Sequence, residues 1–426
     1  MHVKQLKLER FRGADNLTLD LDARLNVFVG MNGAGKSTVL DATAILLSWF
    51  VNRIRSPRAS GRQIGEADIR NGESSCNLTI ETHSRDNVYR WNLAKIRPGH
   101  SRKNIGSDLG DASKAADQVQ STTKAHKEVM GLPLIAYYPV NRAVLDIPLR
   151  IRTKHKFSLL AAYDESLTSG ANFRIFFEWF RETEDLENEA KLDPDSVARA
   201  RGVEALQDPQ LKAVRMALSQ FMPEFGNWRV RRNPLRMEVD KSGQRLTVNQ
   251  LSDGEKCLMA MVGDLARRMA IANPSHVDPL TGEGIILIDE IDMHLHPQWQ
   301  HLLIAQLTKV FPRCQFLIST HSPHVITHVR PENLFRLTVA QQRLEALPAH
   351  ESYGKTVERV LEDLMGLETT RPAAIKASLR QIYQRIARSD LQQAKLDIDA
   401  LRSEIGADPE LIRASVLIKR KELIGK

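Results

Sequence analysis

Residues 30–38 read Gly30-Met31-Asn32-Gly33-Ala34-Gly35-Lys36-Ser37-Thr38, a G-x-x-x-x-G-K-S spacing. Glycines at these places let successive backbone N–H groups turn inward and cradle phosphate oxygens, and a helix beginning beside the lysine adds a favourable dipole. In such a loop Asn32, Gly33, Ala34, Gly35, Lys36, Ser37 and Thr38 surround the nucleotide. Lys36 reaches the β- and γ-phosphates, and the Ser37 hydroxyl ligates Mg²⁺. A second element lies far along the chain, where the apolar run Gly284-Ile-Ile-Leu-Ile ends in Asp289 and Glu290. A buried strand of this kind delivers its acids to the edge where α/β proteins bind ligands. Asp289 there suits a Mg²⁺ shell, and Glu290 can orient and deprotonate an attacking water.

Two further segments carry polar groups at element ends. Leu251-Ser252-Asp253-Gly254-Glu255 precedes an apolar helix over 257–271, so Ser252 and Gly254 stand at a helix N-terminus that favours anions. The same residues satisfy a plain capping box, a serine with a glutamate three residues on. Taken alone, that is the simpler reading. Residues 315–319 form an apolar strand that runs into Thr320-His321-Ser322-Pro323; a lone histidine in that place is more often structural.

Apolar spacing outlines the elements that must position these groups. Residues 1–30 give three strands with a turn at Arg12-Gly13, the last strand delivering the glycine loop. A helix of about 14 residues is expected from Ser37. Strands follow near 76–82 and 87–94, and a short buried strand over 134–138 is ended by Pro139. Residues 98–125 show almost no apolar period and read as a mobile surface loop. From 166 to 227 the pattern turns helical: Phe173, Phe176, Phe177 and Phe180 share one face, and Leu211, Val214, Leu218 and Phe221 another. At about 1.5 Å per residue, two arms of roughly 30 residues reach no more than about 45 Å, so the insert is compact. Arg229, Arg231, Arg232 and Arg236 decorate two short strands before residue 250. Strand–helix alternation resumes from 284 to 335, and from Ser352 the chain is polar, amphipathic helix.

The chain has 426 residues, 42% hydrophobic and 26% charged, enough apolar content for a sizeable core. Wholesale disorder is excluded. Lys+Arg at 60 against Asp+Glu at 52 gives a net charge of +8, which permits a nucleic-acid partner without demanding one. Basic residues gather at Arg53, Arg55, Arg58 and Arg62, at Arg97, Arg102 and Lys103, and over 229–236. They could line a DNA path contacted through phosphates; the alternative is a solvated face with local counter-charges. Cys76, Cys257 and Cys314 lie too far apart for a zinc knuckle or a disulfide framework and fit a reducing cytosol. No apolar run is long enough to span a bilayer, and MHVKQLKLERF lacks the apolar region of a signal peptide. The expectation is a cytoplasmic chain with no membrane partner.

In their order along the chain, the four motifs resemble those of the ABC-type ATPase heads of the SMC/Rad50/RecF group. GMNGAGKST is similar to the Walker A of that group, LSDGE to its signature, ILIDE to its Walker B and STHSP to its His switch. LERFRG also resembles the start of such heads, which puts Arg12 near the nucleotide. The resemblance implies an α/β P-loop NTPase head with a compact helical insert and a C-terminal helical region. Residues 1–150 would be lobe I with Walker A, 151–235 the insert, and 236–345 lobe II with the other three motifs. Residues 346–426 would be a helical region for partner docking or oligomerisation. It further implies hydrolysis of ATP to ADP and phosphate with Mg²⁺. Lys36, Glu290 and His321 then act in cis, and Ser37 and Asp289 hold the metal. Ser252, Asp253, Gly254 and Glu255 serve the site of a second copy, so that ATP joins two heads head-to-tail.

Three departures stand out: SDGE replaces the usual SGGQ, Asp292-Met-His294-Leu-His296-Pro297 occupies the D-loop place, and no glutamine marks a Q-loop. Asn141, beside Arg142, is the best candidate for that last position near the metal. His294 and His296, two apart with no third ligand nearby, make a poor metal site.

The insert is too short for long coiled arms, and the residues after the His321 motif are too few for a TOPRIM nuclease domain. The expectation is an ATPase without a nuclease domain of its own. LSDGEK, LIDEIDMHLHPQWQ, FPRCQFLISTHSPHVI and SYGKTVERVLEDLMG resemble the PtuA-type ATPases of Septu antiphage systems and their retron-associated relatives. That resemblance implies a small, separately encoded HNH nuclease of PtuB type, restrained or licensed by an ATPase that forms dimers and higher oligomers. In the tail, Leu361, Leu364, Met365, Ile382, Ile386, Leu391, Leu396 and Leu401 offer faces for docking a partner or for packing on the ATPase core. The alternative function is a RecF-like, ATP-gated DNA-binding ATPase of repair or recombination.

Overall fold

The computed structural model describes residues 1–100, 106–125, 131–140, 158–168, 173–193, 207–341 and 343–424, divided between two units, Met1–Val357 and Glu358–Lys426. In the first unit β1 (His2–Phe11) and β2 (Ala14–Asp20) form a hairpin around Arg12 and Gly13, and β3 (Leu25–Val29) runs fully buried toward the glycine loop. Helix α1 (Lys36–Arg55) follows at once. It is 20 residues long, longer than the spacing from Ser37 suggests, because its buried face continues through Trp49, Phe50, Val51 and Ile54. With β4 (Ser75–Ser84) and β5 (Asn87–Ile96), the hairpin makes an antiparallel sheet in the order β2-β1-β4-β5.

Part of the segment expected as a surface loop is helix α2 (Gly110–Ala125). Its buried face is made of Ala112, Ala115 and Ala116. That is a helical i, i+3, i+4 repeat in a side chain too small to stand out as an apolar stripe, and alanine is the best helix former. Arg53 of α1 ties it down, its Nη1 donating to Ser113 Oγ at 2.7 Å.

Beyond β6 (Leu134–Tyr138), α3 (Phe173–Leu192) and α4 (Pro209–Phe221) are the described helices of the insert. The four phenylalanines of α3 are all buried. Next come β7 (Phe225–Arg232), β8 (Leu235–Lys241) and β9 (Gln244–Thr247), a three-stranded antiparallel sheet where the sequence suggested two strands. The largely buried α5 (Asp253–Ala272) follows. Then come β10 (Gly284–Ile288), α6 (Pro297–Val310), β11 (Cys314–Ser319), a one-turn helix Pro323–Ile326, and the hairpin of β12 (Leu334–Ala340) and β13 (Arg343–Pro348).

The central sheet runs β13-β12-β3-β11-β10-β6, parallel except for the edge pair β12–β13. Strands buried on both faces carry unbroken apolar runs, and β3, β6, β10 and β11 have every residue buried. Ile288 pairs with Ile318 on one side and Tyr138 on the other, and Ser319 pairs with Phe28. Four carboxyl ends therefore stop in one row.

The second unit is built from α7 (Ala373–Ala387), α8 (Leu391–Ile405) and α9 (Pro409–Ile424). Ile382, Ile386, Ile398, Leu401, Leu411 and Ile418 meet in its core, and Arg371 grips Asp408 with two bonds of 2.8 and 3.2 Å. Much of the tail's apolar surface is thus used within the tail, while Leu396 stays exposed. Among the described residues no helix is long and apolar enough to cross a membrane. All three cysteines are buried free thiols.

One buried polar knot fastens α5 to the sheet. Asp264 accepts from Arg267 Nη2 at 2.6 Å, from Arg268 Nε at 2.7 Å and from the Tyr138 hydroxyl at 3.1 Å. Arg268 Nη1 also donates to the Ala162 and Asp164 carbonyls, each at 2.8 Å. Burial alone would raise the Asp264 pKa, but the two guanidiniums outweigh it and hold it below the usual carboxylate value. Removing one partner of a buried pair strands the other charge. Asp264→Ala is expected to cost about 3–5 kcal/mol of stability, read by denaturant unfolding; a midpoint equal to wild type would contradict it.

Candidate functional site

The glycine loop enters α1 through Gly35, which sits in the left-handed region at φ +85° and leaves no room for a side chain: a Cβ there would lie 2.6 Å from Leu344 Cδ2. The hairpin of β12 and β13 therefore backs the loop. Lys36 is only 5% exposed. Its ammonium donates to the carbonyl oxygens of Gly30 and Met31, both at 3.1 Å. Burial pushes the Lys36 pKa down, while Glu290, Asp289 and Asp292 push it back up, so the acids beyond β10 lie within electrostatic reach. Asn32, Gly33 and Ser37 are exposed, Thr38 is half-buried and Ala34 is buried.

Asp289 and Glu290 leave β10 where the register sets them beside the end of β11. The Ser319 hydroxyl donates to Asp289 Oδ1 and accepts the Glu290 N–H at 2.8 Å. Glu290 has φ +44°, a left-handed backbone that costs a non-glycine residue about 1–2 kcal/mol. Further stitches hold the following loop. Thr320 Oγ1 donates to Asp292, Ser322 Oγ donates to Gln300 Oε1 at 2.6 Å, and Gln300 Nε2 donates to the Leu295 carbonyl at 2.8 Å. Burial, then the Lys36 ammonium, lower the His321 pKa against the opposing pull of Glu290, Asp292 and Asp289. His321 is neutral at pH 7 on this account.

Ser252 caps α5 in a full capping box: its hydroxyl accepts the Glu255 N–H at 3.4 Å, and Glu255 Oε2 accepts the Ser252 N–H at 2.7 Å. Glu255 Oε1 also accepts from Lys241 at 2.5 Å. Ser252 and Asp253 are exposed, whereas Gly254 and Glu255 are buried. A Cβ on Gly254 would lie 2.2 Å from the His294 carbonyl oxygen, so the first turn of α5 rests on the loop that follows Glu290. Among the described residues no hydrogen bond or ion pair joins Ser252, Asp253 or Glu255 to Lys36 or His321.

Arg12 is held by two acids: Nε donates to Asp68 at 2.9 Å and Nη1 to Asp41 of α1 at 2.8 Å. Burial would lower its pKa, and those two bonds raise it instead. Asn141 lies outside the described residues, as do Arg102 and Lys103. Arg55 pairs with Asp164 at 2.7 Å, and Arg97 Nε donates to the Glu73 carbonyl at 3.0 Å. Among the described residues no group of three His, Cys, Asp or Glu could hold a metal ion. His296 Nδ1 accepts the Gln298 N–H at 3.3 Å and so caps α6.

Lys36, Asp289, Glu290 and His321 are thus brought together at neighbouring strand ends. Ser319 and Leu344 escape sequence reasoning because each acts across a long chain separation, and Gln300 because a glutamine bonded to nearby carbonyls carries no recognisable signature. The oxygen donors in place, the Asp289 carboxylate and the Ser37 hydroxyl, are of the hard type that Mg²⁺ takes alongside phosphates and water.

A family model described as "AAA domain, putative AbiEii toxin, Type IV TA system" matches residues 25–327. The chain is 30% identical to the "Retron Ec83 probable ATPase" of Escherichia coli, over 92% of this chain and 81% of that protein. It is 24% identical to the "Septu protein PtuA" of Bacillus thuringiensis, over 88% of this chain and 87% of that one. A solved SMC head bound to the C-winged helix domain of ScpA aligns over 82% of the chain and 98% of its own, with a TM-score of 0.48 and 13% identity.

Glu255 gives a test of the capping turn. Burial works against its ionisation, but the bonds from Lys241 and Ser252 prevail and hold its pKa below the usual value. A carboxylate with a depressed folded pKa contributes stability above its unfolded value of about 4.3, and that stability is lost as pH falls through the folded value. Glu255→Gln keeps the capping bond and removes the charge. It is expected to be less stable than wild type by about 1 kcal/mol at neutral pH, with the gap closing below about pH 4. Thermal melts at the two pH values measure this, and a gap independent of pH would refute it.

Proposed function

From the premise that the chain belongs to this AAA-domain family, we propose that it is the ATP-hydrolysing regulatory subunit of a cytoplasmic antiphage defence complex. In this reading residues 1–150 and 236–345 are the two lobes of an ABC-type head, 151–235 is its helical insert, and 346–426 is the region for docking or oligomerisation. ATP·Mg²⁺ clamps two heads head-to-tail, and the clamp controls a separately encoded HNH nuclease. The observation that carries the reading is the convergence of Lys36, Asp289, Glu290 and His321 at the carboxyl ends of adjacent parallel strands. The curated relatives lend it the defence setting, being named for retrons and Septu.

Ser37 and Asp289 would hold Mg²⁺, which when bound would supply positive charge against the phosphates. The residues divide the remaining work. Backbone N–H groups from Asn32 to Thr38 bind phosphate, and Lys36 exchanges its carbonyl contacts for the β- and γ-oxygens. Glu290 orients a water toward the γ-phosphorus and takes its proton. His321, at the end of β11, donates an N–H to the γ-phosphate. Arg12, held by Asp41 and Asp68, stands near the nucleotide, and Asn141 fills the Q-loop role. Across the pair, Ser252 and Asp253 present the exposed start of α5 to the partner's phosphates, while Gly254 and Glu255 shape that turn.

One observation favours the RecF-like alternative. Arg229, Arg231 and Arg236 all meet Glu238, at 3.2, 3.3 and 2.9 Å, and the Asp240 that Arg229 also reaches, at 3.9 Å, is shared with Arg245. That leaves excess positive charge of the kind that meets DNA phosphates.

Glu290→Gln is expected to lower ATP turnover by about 100-fold or more and to accumulate an ATP-dependent dimer on size exclusion, which Lys36→Ala in the same chain abolishes. Unchanged turnover would sink the role of Glu290. Native mass spectrometry of the tagged chain, purified from its host with ATP·Mg²⁺, is expected to find a stoichiometric small HNH-bearing partner. A bare dimer with strongly ATP-dependent DNA affinity would instead favour the RecF-like reading.

A further inference from the structure

The end of β11 supplies a hydroxyl that reaches both acids of β10, although the two strands come from segments separated by α6. Ser319 is completely buried. Parallel pairing of Ile288 with Ile318 sets the next residues, Asp289 and Ser319, side by side. A serine hydroxyl has one proton to give and two lone pairs to receive with. One lone pair accepts the Glu290 N–H at 2.8 Å, and the proton goes to Asp289 Oδ1. The Ser319 carbonyl oxygen takes the next N–H along, that of Ile291, at 3.1 Å.

We propose that Ser319 is a positioning residue that sets both acids for ATP hydrolysis, orienting the Asp289 carboxylate through its hydroxyl proton and pinning the left-handed turn of Glu290 through its oxygen. This rests on the reading of Asp289 as the metal-holding acid. A carboxylate bonded at one oxygen cannot spin freely, so its other oxygen keeps a set direction. Glu290 has no glycine's freedom at φ +44°, and the N–H···Oγ bond helps keep the backbone there. The hydroxyl touches neither nucleotide nor water in this scheme; it acts through the two acids.

Val and Thr have nearly the same shape and differ in the hydroxyl, so Ser319→Val against Ser319→Thr separates the bond from the packing. Mn²⁺ affinity, read by electron paramagnetic resonance with a non-hydrolysable ATP analogue present, is expected to fall about 10- to 100-fold in Ser319→Val, whereas Ser319→Thr stays within about threefold of wild type. Turnover should follow the same order, with nucleotide affinity in the absence of metal unchanged in both. Equal Mn²⁺ affinities for Val and Thr would overturn the proposal. Asp289→Asn is measured beside them. If it weakens Mn²⁺ binding while Ser319→Val binds as wild type, the assignment of Ser319 fails alone; if it leaves Mn²⁺ binding unchanged, the metal-holding role of Asp289 fails with it.

Discussion

Parallel register at the centre of the sheet is the constraint on which the rest of this molecule depends. A parallel ladder ends all its strands on the same side, and here each of β3, β11, β10 and β6 ends within a residue of its neighbour. The glycine loop, His321, the acid pair and the segment after Tyr138 therefore leave the sheet as neighbours, although in the chain they are spread from residue 30 to residue 321. A one-residue slip of β11 against β10 would carry Ser319 away from Asp289 and exchange the faces of every side chain in the strand. The unbroken burial of these strands makes such a slip costly, since each residue is packed on both faces.

Around that sheet, charge is managed locally. Glu184 and Glu187 of α3, nearly buried, are met by Arg215 and Arg232, and Asp264 draws two arginines beneath the sheet. Four arginines are thus committed to buried acids. Individual basic clusters are best judged by their counter-ions. By that measure the three guanidiniums on Glu238 differ from Arg55, which has an acid to itself.

What the sequence revealed follows the range of the forces involved. The strand at 284–288 and the glycine loop at 30–38 declare themselves through contiguous residues, and the long apolar period of α1 and α5 is equally local. Helix α2 was hidden because alanines bury little area each and leave no stripe. The third strand of the β7–β9 sheet, Gln244–Thr247, is short and carries no fully buried residue, so alternation could not mark it. At the candidate site, residue types announced the glycine loop and the two acids. The partners that hold them, Ser319 and Leu344, depended on register and packing that no spacing rule encodes. The tail was ambiguous for a related reason: its apolar faces could be seen, but not that many of them would find one another.

The contact between Gly254 and the His294 carbonyl leaves less than one side chain's width between the first turn of α5 and the loop after Glu290. A side chain at 254 and the present path of the backbone at 294 cannot coexist. A relative that carries alanine or serine at the position of Gly254 must also have withdrawn the backbone at 294, through a different loop length or a different turn. Residue 254 and the loop after the acid pair are therefore one steric unit, and any change of shape in the first is a demand on the second.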